Sequence, residues 1–484
     1  MSETNKVLDN DAAELKKMGY EQELLRHMSG FSNFAISFSI ICILAGGITA
    51  FPQALGAGGG ASVGIGWLLG ALFATIVALA MAQISSSYPT AGGLYHWGSI
   101  LGGKGYGWCT AWFNLLGLIF VVASVNYGVY DPFFKTLIAP LFGLEIPTTM
   151  FIAGVTAIQA ILIYRFPKFT TKITDISGYL IMAIGGLLTL SLLAYNQKGL
   201  DFSRLFTFTN FTGSEGSVWP RTEGMFYPFL SGLLLTVYTI TGFDASAHTS
   251  EETRDAARAV PKGIVTSVIY SAIFGYVMIC TFVLVMPDLA EGVKQGMGFF
   301  DALLSSLPTG LRTALGVGIF LVNFLCGLAC LTSCSRMMFA FARDGGLPAS
   351  KFLRKIDPTL KTPVAAVWVS AILAVAATLY GDAFVVLSTG CAVFLYISYV
   401  MPTAAGIFAE GKTWKHKGPF NLGGLSKIIA SLAVIGGGFL VFVGIQPPNE
   451  KVLYLTLAML AVMAIFWFVF GEKKRFKGPP AILE

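Results

Sequence analysis

Long apolar runs separated by short polar or charged stretches make up most of this chain. Taking about 20 apolar residues as one crossing of a bilayer, the runs predict twelve helical spans, at roughly 31–55, 64–87, 107–130, 147–164, 172–195, 225–249, 263–286, 314–341, 364–380, 383–408, 426–445 and 452–470. The two longest connections on one side, 196–224 and 287–311, have neither the size nor the periodicity of a folded domain. The pattern therefore predicts an all-α integral membrane protein with twelve transmembrane helices, and leaves no room for a soluble enzyme or a nucleic-acid module.

Two of the runs are interrupted. The first contains Ala45-Gly46-Gly47-Ile48-Thr49, and the sixth contains Thr241-Gly242-Phe243-Asp244. A helix broken at membrane depth is tolerated only where its freed backbone groups line a cavity or are buried in protein. A carboxylate inside a membrane-length apolar segment costs several kcal/mol unless it faces water or a cation. Paired interruptions at matching depth in two halves are the sequence pointer to a binding site between internal repeats. An odd number of spans per copy inverts the second copy, so the chain divides into a tail (1–29), a first five-helix repeat (30–195), a loop (196–223), an inverted second repeat (224–408), two further spans (409–471) and a second tail (472–484).

Composition supports this reading: 55% of the 484 residues are hydrophobic and 12% charged, against about 25% charged in soluble domains. The net charge of +6 matters through its placement. With the spans above, the side shared with the N-terminus holds 24 of the 32 lysines and arginines and the other side 7, with Arg336 inside the eighth span. By the positive-inside rule both termini are cytoplasmic, in a plasma (cell or inner) membrane. The polar first stretch lacks the pattern of a cleaved signal peptide. The seven cysteines all lie inside apolar runs, which argues against a disulfide framework; Cys326, Cys330 and Cys334 share a helical face, but no His or carboxylate joins them, so packing is preferred over a metal site. No metal or cofactor is expected. Of the four histidines only His248, one turn past Asp244, is a candidate proton relay, and an ordinary interfacial histidine is the preferred reading.

Four ordered motifs carry a resemblance: Ser29-Gly30-Phe31-Ser32-Asn33-Phe34-Ala35; Ser85-Ser86-Ser87-Tyr88-Pro89-Thr90-Ala91-Gly92-Gly93-Leu94-Tyr95; Gly242-Phe243-Asp244-Ala245 with Glu251-Glu252-Thr253; and Ser335-Arg336 with Ala342-Arg343-Asp344-Gly345-Gly346-Leu347-Pro348. Together they resemble the amino acid/polyamine/organocation transporters, most closely the amino acid/choline branch with its GABA, choline and general amino-acid permeases. The resemblance implies the leucine-transporter fold, two inverted five-helix repeats with substrate held between the broken first and sixth spans.

On that footing the half-helix after the first break, at Ala45, Gly46, Gly47, Ile48 and Thr49, offers N–H donors to a substrate carboxylate. Carbonyls at Ile240, Thr241, Gly242 and Phe243 offer acceptors to an ammonium, which the ring of Tyr238 or Phe243 can cover; in related antiporters a gating aromatic stands where Tyr238 stands. Asp244 can balance a substrate cation, exchange protons, or hydrogen-bond the first span. Asn114, Asn323, Ser388 and Thr389 are polar groups in apolar helices, placed to line the pocket or to join helices. Thr332 and Ser333 match the hydroxyl pair of the fold's usual cation site, while the lysine that replaces the ion in proton-coupled relatives has no counterpart inside the fifth span. Coupling to sodium, to protons through Asp175 or Asp244, and uncoupled exchange all stay open, with protons preferred. Glu251 and Glu252 opposite Arg336 and Arg343 form a candidate inner gate.

The expected function is transport of a small amino acid, amine or organic cation across the lipid bilayer. A channel needs a repeated filter motif and a nutrient sensor a long cytoplasmic domain; the sequence shows neither, nor a catalytic constellation within the spans.

Overall fold

In the computed structural model, which describes residues 3–380, 383–447 and 449–480, regular structure is helical. Residues 1–2 and 481–484 of the two expected tails lie outside the described residues. Among the described residues nine helices have the length and composition to cross a membrane. They answer to the expected spans two to five, seven, eight and ten to twelve. The three that fall short are the first, sixth and ninth. The ninth is a continuous short helix, Val364–Ala377, whereas the first and sixth stop part-way.

The first segment forms a helix over Gly30–Ile40, begun by the Ser29 hydroxyl, which accepts from the Ser32 N–H at 3.0 Å. It unwinds over residues 41–45 and resumes as a single turn, Gly46–Thr49. The interruption therefore precedes the glycine pair rather than falling on it. The sixth segment runs as Phe226–Gly232 and Leu234–Thr239, unwinds around Gly242, and resumes at Ala245–His248. Gly242 sits at φ +93°, a conformation that side chains disfavour. The two breaks lean on one another. A Cβ on Gly46 would stand 2.9 Å from Thr239 Cα, and one on Gly242 would stand 2.1 Å from Ile40 Cγ2. Each glycine thus admits the last helical residue of the other segment.

The sequence placed a connection between spans one and two at 55–64, and within that interval Gly58 and Gly59 have non-helical dihedrals, so two helices meet at a bend inside Phe51–Ser87. The bend exists because the 196–224 connection packs into it: Gly60 and Gly64 leave room for the carbonyls of Arg204 and Leu205, which a Cβ would meet at 1.9 and 2.2 Å.

Around the breaks, Ala256–Val285 lies along Phe51–Ser87 and Ala383–Ala409 along Lys104–Val129. Small residues allow the approach, with Gly275 under the Trp67 ring and Gly117 under Leu395; Trp67 Nε1 also donates to the Ala272 carbonyl at 2.8 Å. Large apolar side chains such as Leu72, Leu190, Ile273, Ile435 and Phe468 are left exposed on the outer faces. With no water in a bilayer core, such a surface is stable only against lipid.

Gly242→Ala adds left-handed strain of roughly 1–2 kcal/mol to the collision with Ile40. It is expected to lower the melting temperature and the yield of monodisperse protein, whereas Gly186→Ala, with open space around it, is expected to leave both unchanged. Scanning fluorimetry of the two variants checks this.

Candidate functional site

Asp244 lies in the unwound part of the sixth segment and is fully buried. Its Oδ1 accepts from the Tyr399 hydroxyl at 2.8 Å, and its Oδ2 from Asn114 Nδ2 at 2.9 Å. His248 Nε2 stands 3.1 Å from the same Oδ2. The Tyr399 hydroxyl in turn accepts from the Gly242 N–H at 3.1 Å. One carboxylate therefore joins the sixth segment to Lys104–Val129 through Asn114 and to Ala383–Ala409 through Tyr399.

The remaining backbone groups at the breaks are matched by side chains, as burial requires. Tyr396 donates to the Ile240 carbonyl at 3.0 Å and Ser37 to that of Phe243 at 2.9 Å. Asn323 donates to Leu44 at 3.3 Å, and the Cys326 thiol to Ile40 at 3.5 Å. The Gly46 N–H is taken by the Cys42 carbonyl, at 3.0 Å. The N–H groups of Gly47 and Ile48 make no backbone hydrogen bond among the described residues. Of the expected donors, these two are the ones left to meet an anion.

The face that carries the N-terminal segment is closed. Arg336 forks onto Glu252 with bonds of 2.7 and 3.3 Å, and Arg343 onto Glu251 with two of 3.0 Å. Glu251 also accepts from the Ala91 N–H at 3.0 Å. Burial raises its affinity for a proton, but the Arg343 guanidinium and the Ala91 N–H together hold it below the usual carboxylate range. The N-terminal segment seals the pairs from outside. The Tyr20 ring lies 3.9 Å from the Arg343 guanidinium, and its hydroxyl donates to Asp344 at 2.7 Å beside that of Tyr95 at 2.8 Å. Arg26 caps the Ser250 and Thr253 carbonyls, and Met28 pairs with Thr253. A space of ≈ 20 Å³ remains inside, between Thr332, Thr174 and the Arg336–Glu252 pair.

On the opposite face a larger cavity, ≈ 260 Å³, is lined by Thr49, Gln53, Tyr127, Gly128, Phe384 and Met297 among others. Phe384 also meets the Tyr238 ring edge-on, centroids 6.1 Å apart. The buried carboxylate thus has a sealed face on one side, and a cavity lined in part by Thr49 on the other.

An amino acid permease family model matches residues 28–470. The chain belongs to the amino acid permease family. It is 32% identical to the amino-acid permease BAT1 of Arabidopsis thaliana, over 98% of this chain and 97% of that protein. It is 26% identical to the GABA-specific permease of Saccharomyces cerevisiae, over 97% and 86% of the two. Against a putative polyamine transporter of Candida albicans it is 27% identical, over 98% and 89%. This permease is a multi-pass membrane protein of the amino acid/polyamine/organocation superfamily.

Of the residues singled out in the sequence, the permease brings Asp244, Gly242 and Asn114 into one network, and Glu251, Glu252, Arg336 and Arg343 into another. Thr241 and Thr49 spend their hydroxyls on Val237 and Ala45, in their own segments. Tyr238 donates to Ser124 at 3.0 Å. Ser388 bonds within its helix, to Val385, while the buried Thr389 hydroxyl has no partner. Thr332 is likewise bonded to Leu328, and the Ser333 hydroxyl is unpartnered. Asp175 accepts from Ser32 at 3.0 Å, joining the fifth span to the first, and makes no bond to the Asp244 group. Sequence reasoning missed Tyr396 and Tyr399. Their signal was two phenols one turn apart in an apolar span, where hydroxyls need buried partners.

Two outcomes test this account. Glu252→Gln leaves Arg336 buried without its counter-ion, at a cost of about 3–5 kcal/mol; the double variant Glu252→Leu/Arg336→Met is expected to recover most of the lost thermal stability. Asp344 is pushed up to about 6 from 3.8, chiefly by burial. The folded protein therefore keeps that proton where the unfolded chain has released it, and the contribution falls as pH rises through that interval. Asp344→Asn is expected to gain melting temperature over the parent between pH 4 and 6, with a constant difference above.

Proposed function

We propose that this permease is a secondary active transporter that carries a small amino acid or amine across the cell membrane by alternating access, coupled to protons. The observation that carries the reading is Asp244, a buried carboxylate at the meeting point of two broken helices, with a sealed face on one side and a cavity on the other. Such a site can take up a cationic head from the open face and release it only if the arginine–glutamate pairs part. The two break glycines and the reciprocal packing of the segments support two inverted five-helix repeats within twelve spans. The positive-inside bias supports a cytoplasmic N-terminal face, on which the closed arginine–glutamate pairs act as an inner gate.

The substrate class follows from the chemistry. The Gly47 and Ile48 amides suit a carboxylate, while Asp244 and the aromatic rings of Phe243 and Tyr399, whose centroids lie 4.8 Å apart, suit an ammonium. Relatives named for GABA and polyamines share that ammonium. Choline and neutral α-amino acids carry the same kind of head and belong in the same screen. The unpartnered Ser333 hydroxyl beside Thr332 favours sodium as the second reading.

The experiment is a thermal-shift screen of purified protein with γ-aminobutyrate, choline, putrescine and L-alanine, followed by uptake of each radiolabelled compound into proteoliposomes. At least one is expected to stabilise the protein and to be accumulated under a proton gradient without sodium. Strict dependence on a sodium gradient at fixed pH would overturn proton coupling, and uptake of none of the four would overturn the substrate class.

A further inference from the structure

His248 is wedged between two acceptors. Its Nε2 stands 3.1 Å from Asp244 Oδ2 and its Nδ1 3.1 Å from the Ala91 carbonyl oxygen. A neutral imidazole has one N–H and one lone pair, so in either tautomer a lone pair would be driven against an oxygen. Both contacts are attractive only if an additional proton is present. Asp244 already receives the Tyr399 hydroxyl and the Asn114 amide, bonds that favour its ionised form. The additional proton therefore belongs on His248, as an imidazolium donating at both nitrogens.

Among the described residues, the surroundings hold no other group to balance that charge. Gly30–Ile40 and Ala256–Val285 meet this turn with Asn33, Ser37 and Gly263, none of which titrates. Ala383–Ala409 presents Tyr399, Tyr396 and Cys391, and Lys104–Val129 presents Asn114. The Gly93–Gly102 helix adds Tyr95, and His96, which burial pushes down to about 3 and so leaves neutral. Arg336 and Arg343 are each engaged by a glutamate, Glu252 and Glu251, and Asp344 is held by Tyr20 and Tyr95. Asp244 and His248 are both fully buried, so removing the proton would leave a net negative charge in the protein interior.

The same carbonyl contact reaches the sealed face. Ala91 accepts from His248 through its C=O and donates through its N–H to Glu251, at 3.0 Å, which Arg343 grips from the other side. One residue of the Tyr88-Pro89-Thr90-Ala91-Gly92-Gly93 stretch thus lies between the carboxylate and the closing ion pair.

Building on the proton-coupled reading above, we propose that Asp244 and His248 form one proton-binding site whose proton is exchanged for the substrate's ammonium, and that Ala91 passes the change to the Glu251–Arg343 pair. When an ammonium arrives at Asp244 it supplies the positive charge, and the His248 Nε2 proton leaves by the route along which the ammonium entered. The freed lone pair then faces Oδ2 and the ring no longer has reason to hold its place. Turning away, it releases the Ala91 carbonyl, and the N–H on the same residue loses its fixed aim at Glu251. Asp244 is the substrate's counter-ion in this scheme, and His248 is the positioning residue that acts through it.

The test has two arms. Full-length protein labelled with ¹⁵N-histidine in lipid nanodiscs contains four imidazoles, and His248 is assigned by its loss in His248→Gln. At pH 6 His248 is expected to carry protons on both nitrogens in wild type and on one nitrogen only in Asp244→Asn. A His248 that stays in one neutral tautomer from pH 5 to 9 overturns the proposal, whether or not any substrate is known. In the second arm, γ-aminobutyrate uptake into proteoliposomes is followed from pH 5 to 8. Wild type is expected to show a pH dependence that His248→Gln flattens, whatever its residual rate. A His248→Gln that folds and keeps the wild-type pH profile also overturns the proposal. If wild type does not take up γ-aminobutyrate at all, that counts against the substrate class, while the nanodisc arm still decides the proton site.

Discussion

Every hydrogen bond a helix gives up inside a bilayer must be replaced by protein, because lipid offers no partner. The permease gives up several, at two places, and much of its interior follows from that. Tyr396, Ser37, Asn323 and Cys326 sit where they do because carbonyls at Ile240, Phe243, Leu44 and Ile40 have left their helices. The glycines follow from the same constraint. For two unwound stretches to share their partners, their backbones must come close, and Gly46 against Thr239 with Gly242 against Ile40 is how close they come. Between the breaks, polar backbone is gathered where helix is missing, within the buried interior of the described residues.

The buried charges obey a related rule. Glu252, Arg336 and Glu251 are nearly or fully inaccessible, and each is held in a forked pair, which is the arrangement that repays the loss of water. Asp244 differs in having no permanent cation from another element. Its partners are an amide, a phenol and an imidazole, of which only the imidazole can change its charge. The acidic residues thus fall into two kinds: those on the sealed face have cationic partners of fixed charge, and the central one does not.

Much of this was legible in the sequence, for identifiable reasons. Apolar run length gave nine of the expected spans, since a membrane helix must satisfy its backbone within itself. The breaks were legible because glycine and a carboxylate are costly at that depth. The break expected at 55–64 was legible from Gly58-Gly59-Gly60, but the Arg204 and Leu205 carbonyls that pack into it were not. The site was half legible. Asp244 and the gate charges stood out by type, but Tyr399 could not, because a phenol in an apolar span reads as packing until its distance to a carboxylate is known. The N-terminal segment was read only as a polar tail, since nothing local says that Tyr20 will lie on Arg343 from 323 positions away.

Ala91 has a methyl group for a side chain, and that methyl takes no part in joining the centre of the molecule to its sealed face. The joining groups are the main-chain N–H and C=O on either side of one Cα. Alanine scanning cannot touch them, and a change to serine or cysteine would test only the fit of a slightly larger group in a fully buried place. A library of variants scored for lost activity would pass over this position as ordinary packing. The contact becomes visible to genetics only through proline, which deletes the N–H, or through chemical replacement of the peptide by an ester. A permease of this design can keep an essential connection where side-chain mutagenesis does not look.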